Sequence, residues 1–254
     1  LGARPHQDDR NDFDIIKQNI DEYNKDITFF ISEIILVTKL RETRVLTGFS
    51  RVVPVNVGEE KVNISKNKKI NWLPANEVRG EGIFIKFNED KLLEWYEKNK
   101  YFIDQQLVKY NLWIKKTVDE EGINYARLMD LKTIKELDPF FILIHTFSHL
   151  FIKSLVQEAG YDSSSIRERL YISGDKETKM YGVLVYTSSG DSEGTLGGLV
   201  ERGKPENFER TMLNLLNSEV CSNDPICLET EKQGLKDLNG AACYSCCLLP
   251  ETSC

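Results

Sequence analysis

Apolar residues recur at three- and four-residue steps early in the chain: Ile16, Ile20, Tyr23 and Ile27, then Phe30, Ile34 and Val37. That spacing puts them on one helical face and predicts helix over residues 12–42. β-Branched residues crowd Phe29–Val37, so a strand is the competing reading there. Residues 45–57 contain Gly48 and Pro54 and predict one or two short strands, followed by a charged loop or exposed hairpin over 58–70. Period two takes over in 78–87, where Ile83, Ile85 and Phe87 alternate as on a half-buried strand. Asn88 then caps a helix whose first residues, Glu89 and Asp90, suit its positive N-terminal end. A second helix is predicted from Phe102 to Ile114. Residues 115–137 are polar and mixed.

The strongest helical signal begins at Asp138-Pro139, an N-cap followed by a residue suited to the first turn. The segment FFILIHTFSHLFIKSLVQEA is apolar nearly all round and stops at Gly160, which predicts a buried helix. A shorter helix is predicted over Ser163–Leu170, capped by Asp162 or Ser163, then a strand over Tyr181–Tyr186. A glycine-rich loop covers 188–199, and Pro205 opens a last helix to about Val220. The expected fold class is α+β, with a mixed sheet packed around a central buried helix (about 138–160) and a four-cysteine zinc-binding tail. The expected division is an N-terminal α/β lobe over 1–118, a linker over 119–137, and a zinc-binding domain over 138–254.

Composition narrows the function classes. Hydrophobic residues make up 41% and charged residues 29%, as in ordinary globular domains. A net charge of -7 argues against a protein that coats nucleic acid. No apolar run approaches the roughly 18 residues needed to cross a bilayer. With thiols reading as reduced and no secretory signal, the cytoplasm is the expected compartment. The chain begins Leu-Gly-Ala and stops on Cys254, so a C-terminal portion of a longer polypeptide is expected.

All six cysteines lie between positions 221 and 254: Cys221, Cys227, Cys243, Cys246, Cys247 and Cys254. Cys243 and Cys246 have the C-x2-C spacing with which one tight turn offers two thiolates to a zinc ion. A tetrahedral ion needs a second pair, drawn from Cys221, Cys227, Cys247 and Cys254. Disulfide frameworks belong to small secreted chains, and a redox C-x2-C usually stands without further cysteines.

Two other groupings invite chemistry. His145 and His149 are four apart, hence on one helical face. The zincin pattern needs a glutamate beside the first histidine, where this chain has Thr146. Hydrogen-bonded core histidines are the commoner arrangement, and a metal-dependent hydrolase or nuclease using His145, His149 and Glu193 is the alternative. Such an enzyme needs these donors in an open cleft, whereas a scaffold buries them. The loop Asp191–Gly198 has three glycines but not the spacing of a phosphate-binding loop. Groupings such as Arg41 and Arg44, Arg79 and Glu81, and Arg167-Glu168-Arg169 read as structural salt bridges. Acyl- and phosphoryl-transfer motifs are absent. A cysteine-based redox or metal sensor is a third reading.

Longer stretches carry a family resemblance. LRETRVLTGFSRV (40–52), WLPANEVRGEGIFIKF (72–87), HTFSHLFIKSLVQEAGYDSSSIRERLY (145–171), GVLVYTSSGDSEGTLGGLV (182–200), CSNDPICLE (221–229) and LNGAACYSCCLLPETSC (238–254) resemble the DrmB family of DISARM antiphage systems. Its C-terminal part is similar to the zinc-binding domain that ends MrfA-type superfamily-2 helicases. The resemblance implies a structural zinc on Cys227, Cys243, Cys246 and Cys254, with Cys221 the alternative fourth ligand and Cys247 a bystander. The spacing between Cys227 and Cys243 is wider than in those helicases. It further implies a non-catalytic subunit paired with a DrmA-like helicase, which would supply ATP hydrolysis. DNA would be engaged through that complex, alongside any additional defence-system subunits.

Overall fold

A computed structural model of the chain describes residues 12–46, 72–120, 137–187, 198–217, 221, 246–250 and 253. Five strands form one sheet: β1 (Phe13–Lys17), β2 (Ile31–Val45), β3 (Ala75–Phe87), β4 (Ile166–Ser173) and β5 (Met180–Thr187). Their spatial order is β1-β2-β3-β5-β4. Each neighbouring pair is antiparallel, so the expected mixed sheet is corrected to an antiparallel one. Between β4 and β5 the chain has only residues 174–179 in which to turn, too few for the crossover that a parallel pair needs.

The helix expected over 12–42 is replaced by β1, a single 3-10 turn (Ile20–Glu22), one turn of helix α1 (Lys25–Thr28) and β2. The strand reading of Phe29–Val37 is the one that holds. Leu36 lies opposite Ile83, and Ile34 opposite Ile85. These cross-strand pairs, distant in sequence, outweigh the local three-and-four spacing. Tyr23 and Ile27 are buried, but from the connector between strands.

The strand expected over 78–87 is present as β3. Helix α2 (Glu89–Glu120) runs unbroken where two helices were expected, and it enters the segment read as a linker. Asn88 Oδ1 accepts from the Lys91 backbone N–H at 3.3 Å, as its capping role requires. Residues 121–136 lie outside the described residues. β3 pairs with β5, so strands from both sides of 119–137 share one sheet.

Helix α3 (Phe141–Ala159) starts three residues after Asp138. Asp138 prepares that start: its carboxylate accepts from Phe140 N–H at 2.9 Å and its carbonyl from Phe141 N–H at 3.0 Å. Gly160 ends the helix in the left-handed region at φ 69°, its N–H bonded to Val156 O. The inner face of the sheet presents Ile34, Leu36, Ile83, Ile85, Val183 and Val185, against which Ile144, Phe151, Ile152 and Leu155 of α3 are fully buried. Each such side chain contributes about 1.5–3 kcal/mol.

Helix α4 (Gly198–Arg202) and helix α5 (Pro205–Asn217) complete the layer. Phe208, Thr211, Met212 and Leu215 form the buried stripe of α5, as the expected final helix requires. Gly203, between the two, touches the sheet so closely that a Cβ there would overlap Leu36 Cδ2. Tyr23 fixes this approach by donating its hydroxyl to Gly203 O at 2.6 Å.

Candidate metal centre

The expected helix over Ser163–Leu170 is a 3-10 turn (Ser163–Ser165), with Asp162 as its cap, followed by β4. The strand changes which residues share a face. Residues 166, 168, 170 and 172 now point one way: Ile166, Glu168, Leu170 and Ile172. Glu168 lies opposite Val185, and Leu170 opposite Val183, so this set faces the core. A carboxylate therefore stands in an aliphatic row, and its side chain is only 4% exposed.

His145 and His149 project from α3 toward it. Their rings meet edge to face with centroids 4.3 Å apart. His145 Nε2 lies 3.1 Å from Glu168 Oε1 and His149 Nε2 lies 3.3 Å from the same oxygen. All three donor groups are within 4.8 Å of one another. His149 Nδ1 is 2.9 Å from the carbonyl oxygen of Cys247. A carbonyl only accepts, so Nδ1 carries the hydrogen and a neutral His149 turns the lone pair of Nε2 toward the carboxylate. Such a contact is favourable only with a cation between the two groups, whether a proton on Nε2 or a metal ion.

Electrostatics agree with a cation-holding cluster. Burial alone pushes the Glu168 carboxyl up, but the two imidazoles beside it, when they carry a proton, outweigh it. The carboxyl is held well below its usual range. Ser148 adds a weaker pull without reaching hydrogen-bonding geometry. Glu168 Oε2 is buried and has no hydrogen-bond partner among the described residues.

The cysteine-rich tail closes over this cluster. Besides the Cys247 carbonyl on His149, Ser253 O accepts from Glu168 N–H at 2.9 Å, and Ser253 Oγ donates to Ser163 O at 2.5 Å. Leu249 packs against the core. The tail thus takes up the outer edge of β4, whose other edge pairs with β5. Of the expected zinc ligands, Cys246 is half-buried within this docked segment. Cys227, Cys243 and Cys254 lie outside the described residues, as do Glu193 and most of the glycine-rich loop. The alternative ligand Cys221 is buried, and Cys247 is half-buried.

The arginine groupings resolve into two roles. Arg41 pairs with Asp12 and Glu77, Arg79 with Glu77, and both Arg44 and Arg167 with Glu42 on the sheet. Glu168 is separated from its two neighbouring arginines by the alternation of the strand. Glu81 is buried and accepts from Leu199 N–H at 2.6 Å, holding the start of α4 against the sheet. Glu168 is the site residue that sequence reading missed. The signal was the period-two row Ile166, Glu168, Leu170, Ile172.

Residues 147–247 match the family described as the MrfA Zn-binding domain. The description of that family is of a zinc-binding domain. Across more of the chain, the similarity is to the DISARM protein DrmB of Bacillus paralicheniformis, 36% identical over 230 residues. The resemblance read from the sequence is borne out. The aligned region is 89% of this chain and spans 39% of that relative's length. No helix among the described residues is long and apolar enough to cross a membrane.

Proposed function

We propose that this chain serves as a non-catalytic part of a cytoplasmic antiphage defence complex, pairing with a DrmA-like superfamily-2 helicase and engaging phage DNA through it. The observation that carries this reading is the similarity to a DISARM protein along 89% of the chain. The burial of the histidine–glutamate cluster adds support. Its donors converge, as a hydrolase would require, but the Glu168 and His149 side chains are 4% and 8% exposed, so that among the described residues these two donors face no open cleft.

Zinc in this reading is structural. Cys227, Cys243, Cys246 and Cys254 would hold it, with Cys221 the alternative to Cys227. The donor chemistry fits, because four thiolates complete a tetrahedron and leave no position for a reacting water. In support, Cys246 is the neighbour of Cys247, whose carbonyl oxygen lies 2.9 Å from His149 Nδ1. When bound, the ion would supply folding free energy to the segment that carries its ligands.

Co-purification and plaque assays in cells carrying the whole defence system test this. The wild-type protein is expected to retain the helicase subunit and restrict phage, and Cys243→Ser to lose both together. Restriction without any association with a helicase subunit would sink the reading.

A further inference from the structure

Three donor groups from two separate elements converge beneath the tail: His145 and His149 from α3, and Glu168 from β4. We propose that His145 Nε2, His149 Nε2 and the Glu168 carboxylate bind one zinc-class divalent ion that ties α3 to the edge strand β4. Among the described residues, none of the ligands of this site is a thiolate.

The geometry is that of a ligand shell. Zinc holds nitrogen and oxygen donors at about 2.0–2.1 Å, so two ligands of a tetrahedron stand about 3.3 Å apart. The Nε2-to-Oε1 separations of 3.1 Å and 3.3 Å have that length. Two imidazoles and a carboxylate are donors that zinc shares with the neighbouring divalent transition metals, whereas calcium and magnesium prefer all-oxygen shells. Glu168 Oε2, buried and without a hydrogen-bond partner among the described residues, is placed to serve as a second carboxylate donor. The orienting contact is also present. A metal-bound histidine ordinarily donates its other ring N–H to a carbonyl or carboxylate, and His149 Nδ1 meets the Cys247 carbonyl at 2.9 Å.

The ion explains why a glutamate occupies an aliphatic row. A buried carboxylate beside two imidazoles is costly without a cation. With one, the same three residues cross-link a helix and a strand that the sequence separates by about twenty positions. Through Cys247 the cross-link also reaches the tail. The role is structural: His145, at 29% side-chain exposure, is the most open of the three ligands.

Cobalt is the probe. The purified protein is stripped with a chelator and titrated with Co²⁺, with bound metal counted per chain and the visible spectrum recorded. Replacing both His145 and His149 by alanine is expected to lower bound cobalt by about one equivalent per chain. The thiolate-to-cobalt charge-transfer bands should be unchanged, because none of the three proposed ligands carries sulfur. Cys243→Ser should alter those bands and leave the histidine-dependent equivalent in place. Glu168→Gln keeps the side chain's volume, guards against loss of fold, and should weaken the same equivalent at least about tenfold. Equal cobalt binding by the wild type and every folded variant would show that the cluster holds only protons, and the proposal would be wrong. A failure of the cysteine site alone would remove the charge-transfer bands and its own equivalent of cobalt, and would leave the histidine-dependent equivalent in place.

Discussion

Tyr181 shows how a single buried group sets a pH limit on this fold. Its ring is buried against Phe140, centroids 4.9 Å apart. Burial first, and then the nearby charges of Asp138 and Glu89, push its phenol from 10.0 up to about 12. A folded-state value above the unfolded one means that the protonated phenol is favoured by folding. Its contribution is whole below pH 10 and is lost as pH rises from 10 toward about 12. Tyr181→Phe is therefore expected to flatten the alkaline fall in melting temperature, with little change at neutral pH. Melting curves from pH 8 upward check this, and an unchanged alkaline slope would remove Tyr181 as the cause. The metal cluster was partly legible at the same scale. The His145–His149 pair follows from helical periodicity alone. Glu168 does not, because its meeting with them depends on how β4 packs on α3, a contact that no local spacing encodes.

At the scale of elements, legibility followed the strength of the local signal. Alternation in β3 and the continuous apolar run of α3 left little choice, and both formed. Residues 12–42 misled because Ile16, Ile20, Tyr23 and Ile27 satisfy a helical spacing by coincidence, while β2 draws its stability from β3, tens of residues away. Ser163–Leu170 misled because the charged run Arg167-Glu168-Arg169 hides the alternation of the residues around it. Helix starts were well marked at Glu89 and Pro205, and the end of α3 at Gly160. Gly160 takes the left-handed conformation at φ 69°, with nothing within 4 Å of where a Cβ would sit. Gly160→Ala meets no clash, so its cost is conformational alone, expected to be about 1 kcal/mol. Urea denaturation measures it directly. A loss of several kcal/mol would mean that Gly160 does more than terminate α3.

At the scale of the whole molecule, the described part of the tail covers the sheet edge at Glu168. β4 is the last strand of the sheet, and an uncovered edge invites pairing with other chains. Ser253 O takes the Glu168 N–H, Ser253 Oγ reaches Ser163 O, and the Cys247 carbonyl orders His149. Three short polar contacts and the packing of Leu249 therefore couple the cysteine segment to the helix–sheet core. Each contact is modest, about 1 kcal/mol for a hydrogen bond, so docking depends on the tail being preordered. Metal on the tail supplies that order in the reading proposed above. Cys246→Ser is accordingly expected to release the tail without unfolding the sheet. Hydrogen exchange is the measurement, because the Glu168 amide reports docking and the amides of β3 and β5 report the core. Exchange at Glu168 should rise about fivefold or more, the factor that matches one lost hydrogen bond. The protected β3–β5 ladder should stay as slow as in the wild type. If both rise together, tail and core form one cooperative unit and the edge-cover account fails. If neither moves, Cys246 does not hold the tail in place.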